Sequence, residues 1–371
     1  MRRKGKIYLF KEIDYTLVAL ALCCAVFGIV VISSAVKAMG SSSFVIIQSA
    51  AAAMGFVLMA IFTAINFEKV GSAWKFIYVG CVFLLVLVLI IGTGKEDTGS
   101  KSWIRFGPIG IQPSEFVKIG FILTFSKVVS DMGDDINEPK NILKLLSHLG
   151  ILLGLIMLQP DFGTAMVFIF IFAGIVFAAG ISYKYIVTAA GTIIGIIPMV
   201  WFFLFKEYQK NRIRVFFNPE SDPLGSGYHV IQSKIAIGSG RLFGKGLYQG
   251  TQTQLGYLPA RHTDFIFAVI GEELGLIGCA VVTALLFGIV YKCLHNSART
   301  KSDMSRYICI GVACMFLAHI FENIGMCIGL MPVTGIPLPF FSYGGSSIIT
   351  NFAAIGLVLS VYMRRKSFNF N

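Results

Sequence analysis

Runs of about twenty apolar residues, repeated along most of the chain, are the feature that most limits what this sequence can fold into. Read by length and lack of charge, they fall near 13–34, 44–66, 73–92, 114–130, 142–159, 162–181, 184–204, 265–292, 305–330 and 344–363. A helix needs roughly that many residues to cross about 30 Å of hydrocarbon, and loops inside lipid would leave backbone groups unpaired. With 56% of its 371 residues hydrophobic and only 13% charged, the chain lies outside the range of soluble domains. The expected fold is an all-α integral membrane protein, a bundle of about ten transmembrane helices forming a single polytopic membrane domain over residues 1–371. Residues 205–264 would be a large structured extracytoplasmic loop between helices seven and eight.

Charge supplies the orientation. With ten spans both termini share one side, where Arg2, Arg3, Lys69, Lys75, Lys140, Lys144, Arg299, Lys301, Arg364 and Arg365 fall. The short loops opposite hold only Lys37, Lys95, Lys101 and Arg105. The preference for cations at the cytoplasmic face then puts both termini in the cytoplasm. The basic start, MRRKGKIYLFK, reads as the lead into a retained first helix, since the apolar run is long and lacks a small-residue cleavage pattern. None of the eight cysteines forms a CxxC pair, so neither a disulfide framework nor a zinc site is indicated.

Loop 205–264 departs from the charge bias, placing Lys206, Lys210, Arg212, Arg214, Lys234, Arg241, Lys245 and Arg261 outside. Long loops are weakly governed by the rule, so the topology stands, and the cations point either to a bound anion or to lipid headgroups. NPESDP and GSG are turn signals, and Tyr228 to Gly238 fits a short helix lying at the membrane surface. A second, Pro-rich outer loop, PVTGIPLPFFSYGGSS, joins it as a roof over a cavity.

Ionisable groups within apolar spans are costly and are functional candidates by default. Glu115 and Lys118, three residues apart, share a helical face. They are either an ion pair that locks two helices, or a site in which Lys118 holds a phosphate while Glu115 orients it or binds metal. Asp161 precedes helix six, as an N-cap does. Trp103 and Arg105 lie just outside helix four, where an interfacial aromatic belt explains the Trp. His319, Glu322 and Asn323 form a polar set in helix nine that suits interhelical hydrogen bonding.

Asp264 stands in the first turn of helix eight with Thr263 as its cap, where the helix dipole favours an acid whatever its role. It also ends the most basic extramembrane segment. Glu272, roughly 80° round the helix, would support the same cavity, and Glu273 would point away. A carboxylate among cations at headgroup depth can act as general base on a hydroxyl while the cations stabilise a leaving phosphate. That combination suits sugar transfer from a lipid diphosphate. No Walker loop, dinucleotide fingerprint, HExxH or GxSxG accompanies it.

The segments WIRFGPIGIQPSEFVK, LQPDFGTA, NPESDPLGSGYHVIQSKIAIGSG, LPARHTDFIFAVIGEELGLIG and GIPLPFFSYGGSS resemble, in order, those of the SEDS family (shape, elongation, division and sporulation). GIPLPFFSYGGSS, with Pro337 and Pro339, is more similar to the RodA elongation branch than to the FtsW division branch. The resemblance implies a multi-pass protein of the bacterial cytoplasmic (inner) membrane that polymerises lipid II on the outer face, with a class B penicillin-binding protein transpeptidase as partner. Its ligands would be lipid II and an undecaprenyl-diphosphate-linked glycan, with no nucleic acid.

The family's essential acid falls on Asp264 through HTDF. Trp103, Arg105, Glu115, Lys118, Asp161 and Lys234 occupy other motif positions associated with the cavity, and Arg212 and Arg214 match the basic run before NPE. An Arg common before Gln48 is replaced here by Ile47. In the expected mechanism Asp264 deprotonates the acceptor's 4-hydroxyl, which attacks the donor's anomeric carbon with inversion and expels polyprenyl diphosphate. A divalent cation, Mg or Mn, is a candidate cofactor, and no organic cofactor is implied. The rival readings are a flippase for the same lipid and a non-catalytic scaffold for a transpeptidase.

Overall fold

The computed structural model describes residues 13–94, 100–106, 109–199, 202–203, 207–222 and 225–365. The basic start, Lys95 and Lys206 lie outside the described residues. Helices α1 (Tyr15–Lys37), α2 (Ser43–Ala64), the short α3 (Phe67–Gly71) and α4 (Trp74–Ile91) lead to a hairpin of β1 (Ile104–Phe106) and β2 (Ile109–Ile111). There follow α5 (Pro113–Met132), α6 (Pro139–Leu158), α7 (Phe162–Ala178) and α8 (Tyr183–Met199). The long loop supplies α9 (Glu207–Phe217), α10 (Ser226–Gly240) and α11 (Thr251–Gln254), and α12 (Ile266–Ser297), α13 (Asp303–Ile328) and α14 (Gly345–Arg364) follow.

Each apolar run read from the sequence is therefore built on a helix among the described residues. Seven of these helices (α1, α2, α4, α6, α12, α13 and α14) are long and apolar enough to cross a membrane, and α7 and α8 are shorter apolar helices. α5 differs in carrying Glu115, Lys118, Lys127 and Asp131. The outward surface of α4 shows what solvates the bundle. Phe76, Val79, Phe83, Val86 and Ile90 recur along one helical face and are all exposed, an apolar stripe that water would not tolerate and lipid does.

The last helix is the centre of the molecule. α14 is 94% buried over its apolar window and packs against α1, α2, α5, α12 and α13. Its approach to α2 is close because Gly356 has no side chain: a Cβ there would come within 2.7 Å of the Met59 carbonyl oxygen.

The long loop 205–264 grips a break in α12. Gly275, at φ 67°, ψ −163°, leaves the carbonyls of Glu272 and Glu273 without their partners one turn on. Those carbonyls accept instead from the amides of Lys245 (3.0 Å) and Gly246 (3.0 Å). In return the amides of Leu276 and Ile277 donate to the carbonyls of Arg241 (2.8 Å) and Leu242 (3.2 Å). These four groups freed by the break are thus re-paired with a segment that returns into the helix, which lets such a break persist where water is scarce. α10 takes in the predicted 228–238 helix and lies across α12 and α13, so the loop sits on the bundle as a fixed cover.

Candidate active site

Asp264 lies in the turn before α12, one step short of the helix whose first turn was its expected place. α12 begins at Ile266, and Thr263 does not cap it: the threonine hydroxyl donates back to the Ala260 carbonyl at 3.2 Å. The tight turn Ala260–Phe265 delays the helix, the Phe265 amide itself bonding Ala260 at 3.2 Å. The Asp264 side chain faces the Pro-rich loop, where a Cβ on Gly335 would lie 3.6 Å from Oδ2. Burial pushes the Asp264 carboxyl up to about 6, against the opposing pull of the Arg212 guanidinium. A carboxylate so placed is largely ionised at neutral pH and is a stronger base than an ordinary aspartate.

Cations approach from the cover. Arg212 on α9 and Gly329 line one narrow crevice with Val215, Val230 and Met331, and the Lys234 ammonium rests on Gly329. Arg214 is exposed and pairs with Glu207 at 3.5 Å, which Lys210 also reaches at 3.2 Å. His229 stacks on Phe265 with ring centroids 5.9 Å apart, and His262 sits against Phe44 at 5.0 Å. Burial lowers both imidazoles from their ordinary range, so they are neutral at pH 7.

A second polar group lies beneath, inside the bundle. Lys118 is 1% exposed, and its ammonium is 2.7 Å from Glu115 and 2.8 Å from the Nε2 of His319. The ion-pair alternative is the one these distances support, and it is a three-member chain that ties α5 to α13. Asp161 is an N-cap, accepting from the Thr164 amide at 3.0 Å, and also gathers Ser102 and Gln112 at 3.3 Å each. Glu322 is buried within electrostatic reach of Lys118 and Asp161, with the Thr334 hydroxyl beside its carboxylate.

Trp103 and Arg105 belong to the hairpin strap over these helix ends. The Trp103 backbone pairs with Thr93 and its ring covers Gly110, while Arg105 is exposed. The strap connects through Gln112, whose amide bonds Ser346 at 3.1 Å. Beside Ile47, Gln48 holds the Pro-rich loop before α14, donating to the Ser342 carbonyl (3.2 Å) and accepting from the Gly344 amide (3.0 Å).

Glu272 does not join the cavity of Asp264. It accepts from Lys245 (2.8 Å), from the backbone of Gln252 (2.8 Å) and Thr253 (2.9 Å), and from the Thr253 hydroxyl (2.8 Å), so it anchors α11. Glu273 does point elsewhere, to Ser34 at 2.6 Å and Gln254 at 3.2 Å. A helical wheel could not show this, because the donors arrive from a loop that doubles back. Among the described residues no three His, Cys, Asp or Glu side chains converge as a metal cage. Asn323 makes hydrogen bonds between elements, as the polar set of helix nine suggested, but its partner was not legible in the sequence: its Nδ2 donates to the Asp264 carbonyl at 2.8 Å.

A family model described as cell cycle protein, for FtsW, RodA and SpoVE, matches residues 14–367. The peptidoglycan glycosyltransferase MrdB of Escherichia coli strain K12 is 40% identical over 322 residues, covering 85% of this chain and 84% of that one. Thermus thermophilus rod shape determining protein RodA superimposes with a TM-score of 0.72 at 27% identity, over 95% of this chain and 98% of that one. A chain from a peptidoglycan synthase complex that coordinates polymerization and crosslinking gives 0.82 at 30% identity, over the same shares of 95% and 98%.

Proposed function

The chain belongs to the FtsW, RodA and SpoVE family of cell cycle proteins, and on that premise we propose that Asp264 is the general base of a lipid II polymerase. It is a multi-pass membrane protein and a peptidoglycan glycosyltransferase of the elongation type. The carrying observation is the Asp264 carboxylate itself: held at the head of a membrane helix, raised by burial to about 6, with Arg212 close enough to oppose that shift.

In this reading the chain crosses the cytoplasmic membrane ten times, with both termini inside and the cover of α9 to α11 outside. Asp264 takes the proton of the acceptor's 4-hydroxyl. The oxygen forms its bond to the donor's anomeric carbon from the face opposite the leaving group, so configuration inverts. The bond from that carbon to the diphosphate oxygen breaks, and its electron pair leaves on polyprenyl diphosphate. Arg212 and Lys234 face the developing charge, Arg212 with a planar fork that binds phosphate oxygens in pairs. A divalent cation would have to arrive held mainly by the diphosphate, as magnesium does in nucleotide sites, and no step here depends on it. Likeness to a chain of a synthase complex supports a class B penicillin-binding protein as partner.

The test is reconstitution of purified protein and partner with labelled lipid II. Glycan polymer is expected from the wild type, with a loss of about 100-fold or more in Asp264→Ala and Asp264→Asn, the range of a lost general base. Polymer formed equally by Asp264→Ala would remove the assignment. Lipid II carried across sealed vesicles without elongation would make the protein a transporter, and partner binding with neither activity would make it a scaffold.

A further inference from the structure

We infer that Asn323 is a positioning residue for Asp264, a role that builds on the polymerase reading. Asn323 is fully buried, and its Nδ2 donates to two carbonyls at once, Asp264 at 2.8 Å and Ile336 at 2.8 Å. A side-chain amide has two N–H groups, and both are used. The opposite amide orientation would set its oxygen against two carbonyl oxygens, so the hydrogen bonds themselves fix the assignment.

The two carbonyls belong to the two segments that make the site. Asp264 precedes α12 in a turn, and no side-chain cap holds that helix end. Nothing intrahelical therefore sets the height of its carboxylate. Ile336 follows Gly335, the residue that Oδ2 faces. By bridging 264 and 336, Asn323 fixes the acid and the wall opposite it as one unit. His319, one turn earlier on the same face, extends the grip: its Nδ1 lies 3.1 Å from the Pro337 carbonyl while its Nε2 meets Lys118. Consecutive carbonyls of the Pro-rich loop are thus pinned by side chains four residues apart on α13. The Glu115–Lys118 pair reaches the site through this route.

Asn323 lies beneath both loops and has no exposed surface with which to touch a substrate. Its loss should therefore change the placement of the base and leave donor binding alone. A base acts only within hydrogen-bond reach of the proton it takes, and a misplacement near 1 Å costs about 100-fold.

The experiment compares Asn323→Ala and the milder Asn323→Ser, which keeps one donor, in the full protein with its partner. Expected are a kcat lowered about 10- to 100-fold in the alanine variant, an intermediate value for serine, and a KM for lipid II within about twofold of wild type. Hydrogen exchange of peptides spanning 260–266 and 334–338 should quicken together in both variants, which tests the clamp whether or not polymer forms. Wild-type kcat in Asn323→Ala, a rise in KM with kcat unchanged, or unaltered exchange in both peptides would each overturn the inference. A wild type that exchanges as expected but makes no glycan would sink the polymerase reading and leave the clamp standing.

Discussion

At the scale of single residues, the sign of one ionisation is the sharpest consequence of the site. As the proposed base Asp264 acts only when ionised, and its carboxyl is raised to about 6, so the polymerisation rate should fall as pH drops through that value rather than near an ordinary carboxylate's. The Arg212 guanidinium opposes the rise. Removing it in Arg212→Gln should move the acid limb of the rate profile to higher pH and, with loss of the cation proposed to face the diphosphate, raise the KM for lipid II. A pH series of initial rates for the two proteins measures both effects. An acid limb that stays put, or moves to lower pH, would show that Arg212 does not govern this carboxylate. Asp264 was legible in the sequence because motif and charge converge there, at the end of the basic loop. Its surroundings were not. Asn323 reaches it across 59 positions, and Glu272 was turned away from it by donors 19 to 27 positions upstream, contacts that no local pattern encodes.

At the scale of elements, ten helical runs could be read because an apolar run of that length in lipid has one way to pair its backbone. What escaped were features made by return contacts: the hairpin strap, short α3, the extension of α12 to Ser297, and above all the break at Gly275. Gly275→Ala tests that break. Its backbone lies in the left-handed region, and a Cβ would collide with the Gly244 backbone, so neither element can yield without losing the exchanged hydrogen bonds. A destabilisation of about 2 kcal/mol or more is expected, seen as a lowered thermal midpoint in detergent. Glu272→Leu should act on the other side of the same joint. It leaves Lys245 and the α11 amides without their acceptor, and exchange in residues 245–254 should quicken more than in α13. Equal protection in the variant and wild type would mean that the backbone exchange alone holds the loop.

At the scale of the whole molecule, the placement of catalysis depends on which face of the bilayer the cover occupies. α12 is the rigid connection: its 32 residues run from beside Asp264 to Ser297, long enough to cross hydrocarbon despite the break. The turn that holds Asp264 and the turn that follows Ser297 therefore lie on opposite sides, whatever the total number of spans. Basic residues Arg299, Lys301 and Arg306 cluster at the second of these turns, which the charge rule assigns to the cytoplasm. Two cysteine probes decide the matter, Ser221→Cys on the cover and Ala298→Cys beyond α12, both exposed positions, in a background with the exposed Cys23 replaced by serine. A maleimide that cannot cross membranes should label position 221 in spheroplasts and position 298 only after permeabilisation. The opposite pattern would place Asp264 where no glycan strand is growing, and the same carboxylate, with the same cations above it, would then need a cytoplasmic lipid diphosphate as its substrate.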